Sequence, residues 1–211
     1  MARNGELLAL LGATLAALAL SAIAPHDYFT WVLEVAPVLL VLPLLFVTYR
    51  RFRLTALVYR LLFVHALILI IGGHYTYAQV PLGFWVRDLL GLARNHYDRV
   101  GHFAQGFVPA IVAREILLRH SLLPAGRWLF FLVLCVCLAA SATYELIEWG
   151  AAVATGEAAT AFLGTQGDPW DTQWDMFLAL IGAAASQRLL ARLHDRQLQR
   201  LAAVTTARRA T

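Results

Sequence analysis

The feature that most restricts the fold of this chain is a series of six apolar stretches, each about as long as a bilayer is thick. A helix needs about 20 mostly apolar residues to cross roughly 30 Å of hydrocarbon at about 1.5 Å per residue. The stretches lie at about 7–24, 29–47, 56–73, 100–118, 128–151 and 174–193. Since the connections are short, we predict an all-α polytopic membrane protein. Residues 1–211 then form a single integral-membrane domain, a bundle of about six transmembrane helices.

The composition also indicates a lipid environment. Hydrophobic residues make up 60% of the 211 residues, and the mean hydropathy is +0.66. A soluble domain of this size cannot bury so many apolar side chains, so the lipid bilayer is the expected partner. The chain lacks the pattern of interleaved aromatic and basic residues that contacts nucleic-acid bases, so we expect no nucleic-acid binding.

The distribution of arginine predicts how the spans are oriented. All 17 basic residues are arginines, and if the spans alternate most of them fall on one side. That side contains Arg3, Arg50, Arg51, Arg53, Arg119, Arg127, Arg188, Arg192, Arg196, Arg200, Arg208 and Arg209. The opposite side contains only Arg87, Arg94 and Arg99. The positive-inside rule therefore predicts that both termini, including the basic tail 194–211, are cytoplasmic.

The longest connection, from His74 to Arg99, lies on the outer side in this topology. Its segment "PLGFWVRDLLGLARN" places leucines and aromatic residues on one helical face and charged residues on the other. Such a pattern predicts a short helix lying in the outer membrane interface. The alternative is a loop packed over the bundle.

Pairs of ionisable residues occur near the outer ends of three spans. Each pair is spaced by three or four residues and so shares a helix face. Ionisable groups in hydrocarbon are costly unless they are paired, hydrated or bound to an ion, and neighbouring carboxylates repel each other unless a cation lies between them. These pairs and the histidine that ends the third span give the candidate ligands His74, Asp98, His102, Glu145, Glu148, Asp171 and Asp175.

Imidazole and carboxylate ligands together suit zinc, manganese or iron better than calcium or magnesium. The sequence does not choose among the three, and it lacks the Glu-x-x-His repeats of di-iron bundles. A purely structural role for the polar residues stays open. Asp168 before Pro169 is typical of a helix N-terminus, with Asp168 as the cap, and Asp171 in the first turn fits the same explanation.

Four motifs resemble one known family. "GGHYTYAQVPLGFW", "NHYDRVGHFAQGFVPAIVARE", "SATYELIEW" and "FLGTQGDPWDTQWDM" are similar, in this order, to segments of the YjdF family of bacterial inner-membrane proteins. The resemblance covers roughly Leu54 to Ala185. It implies a polytopic protein of the bacterial cell inner membrane and carries no catalytic residue over to this chain.

Three classes of function fit these patterns. The first is a metal-dependent membrane enzyme acting on a lipid or lipid-linked substrate from the outer leaflet, with a water activated by Glu148 or Asp175. The second is a proton- or cation-coupled transporter or channel, for which the chain shows no convincing inverted repeat. The third is a structural or assembly protein. The sequence favours the first class, names no reaction, and leaves the oligomeric state open, because the common catalytic motifs are absent.

Overall fold

The apolar stretches all fold as helices. The structure, a computed structural model, describes residues 4–156 and 160–209. Its helices are α1 (Asn4–Ser21), α2 (Tyr28–Thr48), α3 (Ala56–Tyr75), α4 (Pro81–Leu90), α5 (Tyr97–His120), α6 (Arg127–Thr155), α7 (Thr160–Leu163) and α8 (Asp171–Arg209), with a 3-10 turn at Tyr77–Gln79. The predicted class, an all-α polytopic membrane protein, is confirmed.

Five of the described helices, α1, α2, α3, α6 and α8, are long and apolar enough to cross a membrane. Helix α5 contains the fourth predicted span at 100–118 and has 24 residues, but it is not one of the five. Charged and polar residues toward both of its ends lower its hydropathy. It packs against α3, α6 and α8. The fourth predicted span is therefore a long helix with polar ends, and it lies between α3, α6 and α8.

The sixth predicted span and the predicted tail form one continuous helix. Helix α8 runs for 39 residues without a break at residue 194, where the sequence suggested that the membrane span ends. Residues 210–211 of the predicted tail, and Arg3 in the orientation argument, lie outside the described residues.

Helices α5 and α8 approach each other through glycine. A Cβ on Gly106 of α5 would overlap the backbone carbonyl of Ala179, and a Cβ on Gly182 of α8 would overlap that of Phe103. Small residues allow membrane helices to pack backbone against backbone in this way. The contact fixes the register between the two helices and aligns their first turns.

An apolar layer fills the bundle beyond this crossing. Its buried members come from α5, α6 and α8 and are Ala110, Leu129, Val133, Cys137 and Ala183. Each is at most 2% exposed. The layer lies between the polar groups at the two ends of the bundle, and the buried polar side chains of Ser141, Ser186 and Gln187 lie beside it on α6 and α8.

The end at which α2, α5 and α8 begin is called the acidic end below. Asp27 is the N-cap of α2 there, and its carboxylate accepts a 2.6 Å hydrogen bond from the backbone N–H of Thr30. This bond lowers the pKa of Asp27. Helix α4, at the same end, exposes its large apolar side chains, as the predicted interfacial helix requires, and it stops at Gly91, which adopts a φ of 64°.

Candidate metal centre

Three buried side chains meet where α5 and α8 begin. Asp98 and His102 lie one turn apart on α5, and Asp175 lies on α8; all three are less than a tenth exposed. The Nε2 atom of His102 is 3.4 Å from Oδ1 of Asp98 and 3.9 Å from Oδ2 of Asp175. One potential ligand atom from each residue lies within 4.8 Å of the others. The structure thus brings three of the seven predicted ligands into one group.

The start of α5 is positioned by Asn95, which is fully buried. Its side chain accepts from the backbone N–H of Tyr97 at 3.0 Å and donates to the carbonyl of Val80 at 3.0 Å. The side chain of Gln166 bonds both backbone groups of Asn95, at 2.8 and 3.1 Å. The segment that leads into α8 is therefore fastened to the segment that leads into α5, and this brings Asp175 beside Asp98.

A further contact orients the imidazole of His102. Its Nδ1 lies 3.1 Å from Oε1 of Gln105, an acceptor, and 3.7 Å from Oε1 of Glu145. With the proton on Nδ1 donated to Gln105, Nε2 presents its lone pair to the two aspartates. Metal-binding histidines are commonly held in this way by an outer partner.

Several carboxylate oxygens in this group have no hydrogen-bond partner. They are Oδ2 of Asp98, Oδ1 of Asp175 and Oε1 of Glu145, and each is buried. Buried polar atoms without a hydrogen bond are rare in native proteins because their desolvation costs free energy. These three oxygens have only longer ion-pair contacts, at 4.0, 3.6 and 3.7 Å, with Arg94, Arg99 and His102 respectively. The arrangement has the polar ligands for a cation or for ordered water.

Two arginines link the centre to the start of α8. Arg94 and Arg99 both reach Oδ1 of Asp171, at 2.8 and 2.9 Å. Arg99 also lies 2.8 Å from Asp168 and 3.6 Å from Asp175. The sequence predicts only that both arginines lie on the outer side, with Arg94 on the charged face of the interfacial helix. The signal that could have found them is their place on the arginine-poor side, together with the i,i+4 spacing of Arg94 and Asp98.

Asp168 combines two roles. Its Oδ1 accepts from the backbone N–H of Trp170 at 2.9 Å, which agrees with the predicted cap just before α8. Its other oxygen pairs with Arg99 and, at 3.5 Å, with Arg94. Asp168 therefore both caps the start of α8 and forms ion pairs with the arginines, and Asp171 in the first turn pairs with the same arginines.

The remaining predicted ligands differ in position. Glu145 and Glu148 are buried on α6, with Glu145 beside His102 and Glu148 one turn further on. Asp171 is engaged by the arginines. His74 is not brought to the group: its Nδ1 lies 2.9 Å from the carbonyl of Ser21, where α3 meets α1. His74 lies near the outer end of its span like the other candidates, but its side chain faces the end of α1 and not α5.

Negative charge exceeds positive charge around this centre. Among residues 4–156 and 160–209, the cationic groups that form ion pairs with it are Arg94 and Arg99, and His102 where protonated. They face the carboxyl groups of Asp98, Glu145, Glu148, Asp168, Asp171 and Asp175. A buried excess of carboxylates requires additional cations or bound protons.

Two open clefts lie beside the start of α8. A polar cleft of about 410 Å³ is lined by residues 165, 167–169, 171 and 172. An apolar cleft of about 320 Å³ is lined by Trp170, Gln173, Trp174 and Phe177. The guanidinium of Arg99 lies 5.6 Å from the ring centre of Trp174.

Comparison with known proteins gives two matches. The family described as "Predicted membrane protein (DUF2238)" matches residues 6–196. The "Inner membrane protein YjdF" of Escherichia coli (strain K12) is 57% identical over 183 residues, which cover 87% of this chain and 88% of that protein. No solved structure matches the chain.

Proposed function

Since the chain belongs to the DUF2238 family of predicted membrane proteins, we propose that its acidic end is a metal centre in the bacterial inner membrane. The family agrees with the resemblance to YjdF proteins in the sequence. Asp98, His102 and Asp175 bind a divalent zinc, manganese or iron ion. The ion serves chemistry on a lipid or lipid-linked substrate.

The observation that carries this proposal is the buried group of Asp98, His102 and Asp175, in which one potential ligand atom from each residue lies within 4.8 Å of the others. The aspartate oxygens that lie nearest Nε2 of His102 are Oδ1 of Asp98 and Oδ2 of Asp175, and the second oxygen of each aspartate has no hydrogen-bond partner. Ligand atoms of a tetrahedral ion with bonds of about 2.0–2.1 Å lie roughly 3.4 Å apart. Nε2 of His102 is 3.4 Å from Oδ1 of Asp98 and 3.9 Å from Oδ2 of Asp175, and the ligand atoms of the three residues all lie within 4.8 Å of one another. The three side chains would have to move closer together to bind such an ion, and they would leave its fourth position open. One imidazole and two carboxylates suit the three proposed metals.

A bound divalent ion would supply a Lewis acid inside the bundle. Glu145, whose Oε1 has no partner, and Glu148 are placed to accept a proton near it. The two clefts support a lipid-like substrate, since its apolar chain could lie along Trp170, Trp174 and Phe177 while its polar group lies toward Asp171.

The apolar layer argues against the transporter alternative. Ala110, Leu129, Val133, Cys137 and Ala183 are buried and tightly packed between the acidic end and the opposite end. A transported ion would have to pass these side chains, where the buried polar groups on α6 and α8 are the uncharged Ser141, Ser186 and Gln187. An enzyme whose substrate binds and whose product leaves at the acidic end does not require an ion to cross the bundle.

We also propose that the acidic end faces outward and that both termini are cytoplasmic. A chain without Cys135 and Cys137 that carries Pro169→Cys should react with a membrane-impermeant maleimide in intact spheroplasts, whereas Gly126→Cys should react only after lysis. Both positions are exposed, so the two variants are a matched pair. Labelling of Gly126→Cys alone in intact spheroplasts would reverse the orientation and place the centre at the cytoplasmic face.

Metal content is the direct test of the centre. Protein purified in mild detergent should contain zinc, manganese or iron near one equivalent, and Asp175→Asn should lose most of it while remaining folded, because the change removes a charged ligand at nearly constant shape. Asp88→Asn is the control, since Asp88 is an exposed carboxylate on α4 paired with Arg87. Equal metal in Asp175→Asn and wild type, measured by elemental mass spectrometry, would contradict the site.

The lipid chemistry needs its own measurement. Wild type and Asp175→Asn should be reconstituted in vesicles of bacterial polar lipids with added metal, and the lipids compared by mass spectrometry over time. We expect a product that forms only with the metal-loaded wild type. Metal binding without any lipid change would favour a structural or metal-carrying role.

A further inference from the structure

One side of α8, at the end of the bundle opposite the acidic end, carries a row of arginines. Its members are exposed, recur every fourth residue and are Arg188, Arg192, Arg196 and Arg200. Four residues turn an α-helix by about 400°, so successive members lie only about 40° apart around the helix axis. These four residues are called the basic face of α8 below.

The other side of the same stretch is fastened to three helices. Gln187 donates to a backbone carbonyl of α6 at 3.2 Å, and Nε2 of His194 lies 3.0 Å from Oε2 of Glu115 on α5. Gln197 accepts from a backbone N–H at the start of α3 at 2.9 Å. These contacts fix the rotation of α8 about its own axis, so the basic face points away from the bundle.

The charge of the basic face is not neutralised within the fold. Among the residues whose side chains the structure describes, no carboxylate lies within 4.0 Å of the four guanidinium groups. Asp195 is the only acidic residue that follows Asp175 in the sequence, and it pairs with Arg114 on α5 at 2.8 Å. The basic face therefore presents its full positive charge to whatever surrounds it.

Aromatic side chains beside the basic face indicate its depth in the membrane. The guanidinium of Arg188 lies 5.1 Å from the ring centre of Phe130, in the first turn of α6. Trp128, in the same turn, is 71% exposed. Exposed tryptophans near helix ends lie at the headgroup level of a bilayer. The basic face thus begins at the edge of the hydrocarbon and continues into the headgroup region.

Apolar side chains accompany the arginines on this side of α8. Leu189 and Leu193 are 72% and 45% exposed, and each is followed three residues later by an arginine of the basic face. An arginine can lay its apolar stem along such leucines while its guanidinium reaches a phosphate. A phospholipid offers a phosphate next to acyl chains, and it fits this surface better than a nucleic acid or an acidic soluble protein does.

We infer that the basic face of α8 binds anionic phospholipids of the leaflet at this end of the bundle. Arg188, Arg192 and Arg196 contact the phosphate oxygens, and Leu189 and Leu193 contact the acyl chains. A zwitterionic lipid carries the same phosphate, but its own cation offsets the charge that the arginines attract. The surface belongs to α6 and α8 beyond the apolar layer, so it does not depend on the proposed metal centre.

Native mass spectrometry can measure this lipid binding. Delipidated wild type in nonionic detergent is titrated separately with dioleoylphosphatidylglycerol and dioleoylphosphatidylcholine, which have the same acyl chains and differ in headgroup charge. We expect the phosphatidylglycerol to bind about tenfold more tightly. An arginine near an anionic lipid surface contributes about fivefold to the affinity, so Arg192→Gln combined with Arg196→Gln should weaken binding by about 10–25-fold.

Two further variants separate lipid binding from net charge. Arg192→Lys combined with Arg196→Lys keeps the charge and should keep most of the affinity. Arg50→Gln combined with Arg51→Gln removes the same charge at the same end of the bundle, from exposed positions after α2, whose main contact is α3. This control should bind phosphatidylglycerol as wild type does. Equal affinity of wild type for both lipids, or an equal loss in the two glutamine variants, would overturn the inference.

Discussion

Replacing Gly106 by alanine should prevent normal assembly of the bundle. The new Cβ would overlap the backbone carbonyl of Ala179, and a backbone carbonyl in a packed helix cannot rotate out of the way. Overpacking of a core costs about 1–3 kcal/mol and sometimes more, and a clash with backbone belongs at the upper end. Fluorescence-detected size-exclusion chromatography and thermal unfolding in detergent should show aggregation or a large drop in melting temperature.

Gly150→Ala is the matched control for this change. Gly150 also lies within a helix, α6, but nothing occupies the space within 4 Å of the position of its Cβ. Alanine restricts the unfolded chain more than glycine, so this variant should be as stable as wild type or gain up to about 1 kcal/mol. Similar melting temperatures for the Gly106 and Gly150 variants would show that α5 and α8 are not in backbone contact.

Arg99→Met should be strongly destabilising in the absence of metal. The side chain of Arg99 is 13% exposed and lies within 3.6 Å of carboxylates from Asp168, Asp171 and Asp175. Removing one partner of a buried ion pair costs about 3–5 kcal/mol, and since Arg94 remains we expect the lower end of that range. Thermal unfolding with chelator should show the loss, and added Mn²⁺ should raise the melting temperature of the variant more than that of wild type.

Two further variants separate charge from packing. Arg99→Met combined with Asp171→Asn should recover part of the lost stability, because one of the stranded carboxylates is removed. Arg87→Met should be nearly neutral, since its partner Asp88 is two-thirds exposed and exposed pairs contribute little. An Arg99→Met protein as stable as wild type in chelator would mean that the carboxylates do not need the arginine.

The features that the sequence predicts well are local ones. Hydropathy locates the helices because each span is a continuous apolar run, and i,i+4 spacing places Asp98 with His102 and Asp171 with Asp175 because helix geometry alone sets those neighbours. The contact between the two pairs depends on Gly106 and Gly182, whose packing joins residues far apart in sequence. No periodicity within either helix reveals that register.

Two histidines show that sequence does not reveal contacts between helices. His74 has the depth of the other candidates, yet its imidazole contacts the end of α1, since depth does not determine which neighbour a helix face meets. His194 is the first residue of the predicted basic tail, but it is fully buried between Arg114 and Glu115, at 2.8 and 3.0 Å. Sequence alone could not place it, because its partners lie about 80 residues earlier on α5.

Helix α8 makes two separate sets of polar contacts along one continuous helix. Asp175 meets the acidic centre and His194 meets Glu115, about 28 Å apart along the axis at about 1.5 Å per residue. Inserting or deleting one residue between them would rotate one set by about 100° relative to the other. This stretch can accept many substitutions on its lipid-facing side, but its length cannot change by a single residue without separating one end from its partners.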